Sequence, residues 1–185
     1  MLLATDYLKA GILICLFMGI RIGELCALKW QDIDLEADEI RISKTIQRIK
    51  NTEPNPTTKT KIIIDTPKSE TSIRAIPIPD FLFKILKALK SNNDCYFLTG
   101  KPDKFIEPRL YQMKFKKFLE ECKIRDVTFH TLRHTFATRA VESGFDTKSL
   151  SEIIGHTDIN FTYRRYVHPS MIHKKAHLEK MSIGY

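Results

Sequence analysis

IRISKTIQRIK (residues 40–50), KIIID (61–65) and IRAIPIP (73–79) carry the β-branched residues that decide the fold class of this chain. Ile40, Ile42 and Ile46 fall two or four apart, the second run is isoleucine-rich, and Ile73 to Ile78 alternates again before Pro79. Period-two patterning of β-branched side chains suits half-buried strands. The three runs predict a small three-stranded antiparallel sheet. Between the first two, Asn51 to Thr60 holds Pro54, Pro56 and mainly polar residues, the composition of a flexible hairpin loop.

On either side the pattern turns helical. Thr5 or Asp6 can cap a helix in which Leu8, Ile12, Leu13, Leu16 and Phe17 recur at three-and-four spacing, ending near Gly19. A short second helix carries Leu25, Cys26 and Leu28 up to Trp30, where Asp32 and Asp34 break it. Beyond the strands, Asp80 is read as the cap of a helix to about Lys90, and Cys95 to Leu98 as a short extended piece. Pro108 opens a helix to about Cys122. Thr131 to Ser143 stops at Gly144, and Asp146 caps a helix that ends at Gly155. Asn160 to Val167 and a basic tail from Ser170 to about Met181 complete the helical set. The expected fold is α+β, mostly α-helical, with one small sheet inserted after the first two helices.

With 185 residues, 43% of them apolar and 28% charged, the chain has ordinary globular composition and enough length for a sizeable core. No apolar run approaches the roughly 18 to 20 residues of a membrane span. The longest apolar stretch, Gly11 to Ile20, lacks a preceding basic region and a small-residue cleavage site, so it reads as a buried helix and not a signal peptide. Cys15, Cys26, Cys95 and Cys122 show no CxxC spacing and are expected as buried free thiols, which fits a reducing, cytoplasmic compartment. A net charge of +8 favours a polyanionic partner, nucleic acid ahead of acidic lipid, although an excess of this size also serves solubility.

His130 and Arg133, in the sequence HTLRH, stand three apart at a helix start, where both can share a face beside backbone N–H groups that would receive a phosphate. Arg21 follows a Gly-Ile turn, from which a long guanidinium can reach into a cleft. His130 and His134 also have the spacing of a zinc-binding HExxH helix. However, Thr131 stands where that motif needs its glutamate general base, and the sequence nearby supplies no clear third ligand.

Five segments, in order, resemble the catalytic domain of the tyrosine recombinases, the phage-integrase family. Gly19-Ile20-Arg21-Ile22-Gly23-Glu24-Leu25, followed by Leu28 to Asp34, resembles the first arginine box. Pro67-Lys68-Ser69 leading into Arg74-Ala75-Ile76-Pro77 resembles the β-hairpin that carries the catalytic lysine. His130 to His134 matches the HxxR box, Ile154-Gly155-His156 the Leu-Gly-His element, and Tyr166-Val167-His168 the nucleophile segment of the transposon-type branch.

The resemblance implies that Arg21 and Arg133 clamp a scissile phosphate, with Lys68, His130 and His156 around it and Tyr166 as nucleophile. Tyr166 stands ten residues after His156 and is preferred to Tyr163, which stands seven after it. Lys68, alone of Lys59, Lys61 and Lys68, occupies the turn before the IPIP strand. Glu24 is expected to orient the arginine region or cap its helix. Met18 departs from the family pattern, which usually has threonine there.

The implied activity is site-specific DNA recombination or integration, with DNA cleaved and rejoined through a 3′-phosphotyrosyl intermediate, no cofactor and no metal. The implied setting is a bacterial, phage or mobile-element cytoplasm. Implied partners are double-stranded DNA and, for a full-length protein, three further copies in a homotetramer, the isolated domain being monomeric. Residues 1–185 would form one catalytic domain, without the amino-terminal core-binding and arm-binding domains of relatives. The rival readings are a non-catalytic DNA-binding module of the same fold, a zinc hydrolase built on His130 and His134, and a type IB topoisomerase that shares the chemistry.

Overall fold

The computed structural model describes residues 6–53, 57–66 and 73–155, together with Lys175, Leu178 and Glu179. The expected helices at Asn160 to Val167 and Ser170 to Met181 lie outside the described residues, apart from those three.

Helix α1 (Tyr7–Met18) starts where the Asp6 carboxylate accepts the Lys9 amide at 2.8 Å. It stops at Gly19, whose φ of +67° is a left-handed cap that costs glycine little. A methyl group there would also come within 2.5 Å of the Phe136 ring, so Gly19 lets the end of α1 lie against a later helix. Helix α2 (Ile22–Ala27) is shorter than its apolar pattern predicts. Leu28 is already extended, its carbonyl accepts from the Phe97 amide at 2.8 Å, and Trp30–Asp32 forms a 3-10 turn. An antiparallel bridge to residues 95–97 draws this segment out of the helix, and Trp30 then stacks edge-on against Phe97 at 5.2 Å.

The sheet differs in composition from the one expected. Strands β1 (Ile33–Asp34), β2 (Glu39–Ile42) and β5 (Arg74–Pro77) form the three-stranded antiparallel sheet in the order β1-β2-β5, with Ile40 opposite both Ile33 and Ile76. Strands β3 (Thr45–Lys50) and β4 (Thr60–Asp65) pair separately as a two-stranded hairpin. The run Ile40 to Ile46 breaks at Ser43-Lys44 because one continuous strand would put Lys44 on the same face as Ile42 and Ile46. Both isoleucines are buried and Lys44 is exposed. Ile33–Asp34 was not legible as a strand because two aspartates flank its single buried side chain. The β3–β4 hairpin is tied to the residue ahead of Pro108 by a bidentate pair in which Arg48 donates to Glu107 at 2.7 and 2.8 Å.

Helices α3 (Asp80–Leu89), α4 (Pro108–Glu121), α5 (His130–Glu142) and α6 (Thr147–Ile154) follow, each within a residue or two of expectation. Pro79, not Asp80, occupies the cap position of α3, and Asp80 lies in its first turn. The Asp146 carboxylate caps α6 through the Ser149 amide at 2.8 Å. One core gathers Ile14, Leu25, Trp30, Ile40, Ile76, Leu82, Phe97 and Tyr111, all buried. A smaller cluster of Ala137, Ala140, Leu150 and Ile154 joins α5 to α6. Because α5 packs on α1, and α6 on both α5 and β5, the end of α1, the start of α2, β5 and the end of α6 meet at one place.

Three of the four cysteines are buried as expected, while Cys122 is exposed at the end of α4. Burial pushes the Cys15 thiol well above its ordinary range and the Cys26 thiol up to about 12. A thiol reagent at pH 8 is therefore expected to titrate Cys122 rapidly in the native protein and all four cysteines only after denaturation. Rapid native labelling of Cys15 or Cys26 would contradict this packing.

Candidate active site

Arg21 caps α2. Its amide donates to Glu24 Oε2 at 2.9 Å and its Nη1 to Glu24 Oε1 at 2.9 Å, so both oxygens of one carboxylate accept from Arg21 across the first turn. Its Nη2 reaches across the fold to the Gly155 carbonyl at 2.8 Å, while 37% of the side chain stays exposed. Glu24 thus performs both tasks expected of it, orienting the arginine and capping the helix.

Arg133, by contrast, is buried, with 3% of its surface exposed. It projects from the first turn of α5 into the protein, where Nη1 donates to the Gly19 carbonyl at 2.7 Å and Nη2 to the Ile154 carbonyl at 2.6 Å. His130 opens the same helix at the surface, its ring edge-to-face with His134 at 4.3 Å. Arg133 and His130 therefore share a helix turn but differ in depth, where the sequence pattern had placed both on one phosphate-facing surface. Among the described residues no group of three His, Cys, Asp or Glu side chains gathers around the His130–His134 pair.

Arg74 is the residue that sequence reasoning quoted without giving it a role. It lies on β5 in the same alternating row as Ile76 and Ile78, both buried, and its own side chain is 6% exposed. An arginine in the inward row of a strand requires a buried partner. That partner is Glu24, which is 3% exposed and accepts from Arg74 Nη1 at 3.1 Å and Nη2 at 2.9 Å. Arg74 Nε then donates to the Ile153 carbonyl at 2.6 Å.

The last carbonyls of α6 are consequently taken, in sequence order, by three guanidiniums: Ile153 by Arg74, Ile154 by Arg133 and Gly155 by Arg21. Cations suit a helix C-terminus, where orphan carbonyls and the macrodipole concentrate negative charge. Gly155 has φ of +64°, and a methyl group there would lie 2.8 Å from Arg74 Nη1. Of the six residues assigned to the site, Arg21 and Arg133 are brought together and His130 lies one turn from Arg133 on α5. Lys68, His156 and Tyr166 lie outside the described residues, as does Tyr163; in sequence, His156 directly follows the Gly155 carbonyl that Arg21 holds.

The phage integrase family model matches residues 4–173. The chain belongs to that family. It is 33% identical over 177 residues to a tyrosine recombinase XerC-like protein of Caldanaerobacter subterraneus subsp. tengcongensis, covering 87% of this chain and 45% of that protein. It is 27% identical over 189 residues to the transposase from transposon Tn916 of Enterococcus faecalis, covering 92% and 44%. The chain thus spans less than half the length of these curated relatives. Among solved structures, the Tn1549 transposon integrase in complex with circular intermediate DNA superposes with a TM-score of 0.72 at 26% identity, over 93% of this chain and 59% of that one. XerA recombinase shares the fold, with a TM-score of 0.65 at 21% identity over 96% and 57%. The expected fold is therefore the observed one, in the transposon branch of the integrases.

Burial by itself raises the Glu24 carboxyl, but the Arg74 hydrogen bonds and charge, with the Arg21 charge and amide, outweigh it and hold the group below the usual carboxylate range. Its contribution to stability is therefore complete above the unfolded-state value and is lost as pH falls through the lower folded-state value. Glu24→Gln, which strands the Arg74 charge, should cost about 3 to 5 kcal/mol at neutral pH, a thermal midpoint lower by roughly 10 °C. That gap should narrow as the wild type is titrated below about pH 4. Equal midpoints at pH 7 would show that the buried pair contributes nothing net.

Proposed function

We propose that this chain is the catalytic domain of a site-specific DNA recombinase or integrase that cleaves and rejoins DNA through a 3′-phosphotyrosyl intermediate. The observation that carries the reading is the meeting of Arg21 and Arg133 at the end of α6, one residue before His156. Arg21 and Arg74 share the Glu24 carboxylate while Arg133 is held by backbone carbonyls, a gathering of guanidiniums suited to a phosphodiester.

The chemistry follows from that charge. Attack on a phosphodiester builds negative charge on two non-bridging oxygens, and planar guanidiniums can stabilise it bidentately. Arg21 and Arg133 take that role. Their hydrogen bonds to fixed backbone carbonyls set each guanidinium plane before DNA arrives, so little reorganisation remains for the reaction. The tyrosine hydroxyl has an ordinary pKa of about 10 and needs neighbouring positive charge or a base to attack near neutrality, which the arginines and His130 supply. Tyr166 is the proposed nucleophile, Lys68 the acid that protonates the departing 5′ oxygen, and His156 a hydrogen-bond donor to the phosphate. Because the phosphotyrosine ester conserves the bond, a second 5′-hydroxyl can reseal the strand without ATP. The DNA is double-stranded, and a tetramer on two duplexes is the proposed assembly of the full-length enzyme.

Nicked suicide duplexes carrying candidate attachment sites test this directly. The wild type is expected to form a covalent adduct on a denaturing gel. Tyr163→Phe should retain it and Tyr166→Phe should lose it. Arg21→Ala and Arg133→Ala should each slow its formation on the order of 10²- to 10³-fold. An adduct that survives Tyr166→Phe would overturn the nucleophile, and DNA binding by the full-length protein with no adduct would favour the non-catalytic module. Affinity should also fall linearly in log–log form with salt, by a slope of about −0.9 per phosphate neutralised. A salt-independent affinity would contradict phosphate-directed binding.

A further inference from the structure

Arg74 stands apart from the residues that the proposed chemistry uses, yet its bonds reach both of the elements that chemistry depends on. Toward the start of α2 it holds the Glu24 carboxylate, whose two oxygens also accept from the Arg21 amide and guanidinium. Toward the end of α6 it holds the Ile153 carbonyl, in the turn whose next two carbonyls are held by Arg133 and Arg21. Its guanidinium lies flat against Gly155, where a methyl group would meet Nη1 at 2.8 Å, Cζ at 3.0 Å and Nε at 3.2 Å. A glycine is thus needed at that position both for its left-handed backbone and for the approach of this side chain.

On the proposed recombinase reading, we infer that Arg74 is a positioning residue for DNA cleavage: through Glu24 and the end of α6 it sets the Arg21 guanidinium and the backbone that leads into His156. On this inference it acts through Arg21 and that backbone and not on the phosphate itself. The strand that carries it, β5, starts six residues after Lys68 in sequence, and the same side chain ties that strand to the arginine clamp. A lysine would be a poor substitute, because an ammonium cannot present two parallel donors to Glu24 and a third to Ile153 in one plane.

The test compares wild type, Arg74→Ala, Arg74→Lys, Gly155→Ala and the Arg74→Ala/Gly155→Ala double variant in the full-length enzyme. DNA affinity and the single-turnover rate of adduct formation are measured separately, with hydrogen exchange over residues 151–155 of the free protein. Misplacement of a clamp by a fraction of an ångström to an ångström predicts a rate about 10- to 100-fold lower for Arg74→Ala, with DNA affinity within about twofold of wild type and faster exchange at 153–155. Arg74→Lys should recover part of the rate. Gly155→Ala should also slow cleavage, but the two effects should multiply only in part in the double variant, since the strain of the left-handed backbone remains while the added methyl no longer meets a guanidinium.

An unchanged rate in Arg74→Ala would overturn the inference. So would rate losses that multiply in full, or a rate loss matched by an equal loss of affinity or of folded protein in both Arg74→Ala and Arg74→Lys. Should the wild type itself form no adduct, the recombinase reading fails and a role for Arg74 in cleavage fails with it. In that case the exchange rates still decide whether Arg74 pins the end of α6.

Discussion

The last turn of a helix leaves carbonyls with no partner inside the helix, and here the three at the end of α6 are each claimed by a different arginine. The donors come from the α1–α2 junction, from β5 and from α5, so satisfying one short run of backbone fixes three elements relative to it. Had neutral side chains or water served these carbonyls, the helix end would have been stable but free to shift. Charged donors make shorter, more directional bonds and add a favourable interaction with the helix dipole. The arrangement is self-consistent only because Glu24 lies between two of the arginines; without it, two guanidiniums held around one helix turn would repel each other with little solvent to screen them.

That constraint explains how two arginines differing in exposure are held at one helix end. Arg133 is almost wholly enclosed, and its orientation is set by carbonyls at the ends of two helices. Arg21 keeps a third of its surface open and is held from below by Glu24 and from the side by Gly155. A guanidinium has five donors in a rigid fork, so anchoring some of them on fixed acceptors aims the rest instead of exhausting them. Preorganisation of this kind costs stability when charge is buried and returns it as a smaller rearrangement during reaction.

The sequence disclosed the helices well because their signals are local: Asp6 and Asp146 as caps, Gly19 and Gly155 as stops, Pro108 at a first turn. It also disclosed that strands were present between residues 40 and 79. Their partners were not legible, since pairing Glu39–Ile42 with Arg74–Pro77 in place of its chain neighbour is decided by long-range packing. Arg21, Arg133 and His130 were found through the HTLRH and Gly-Ile-Arg patterns. The depth of Arg133 was not found, because HTLRH places His130 and Arg133 on one helical face without telling which neighbours enclose that face. Arg74 did leave a trace, as a charge in the same alternating row as Ile76 and Ile78. Pairing it with Glu24, fifty residues earlier, required the fold.

The separations are themselves informative. Arg21 bonds a residue 134 positions away, Arg133 one 114 away and Arg74 one 79 away. No local fragment of the chain can assemble the cluster, and contacts of this kind form only when the intervening loops have been closed. The clamp therefore comes into being with the completed fold and not before it. A chain in which α5 had formed without α6 would carry the HTLRH motif but lack the Ile154 carbonyl that orients Arg133. Coupling the arginines to the end of α6 makes their arrangement conditional on the joint packing of α1, β5, α5 and α6.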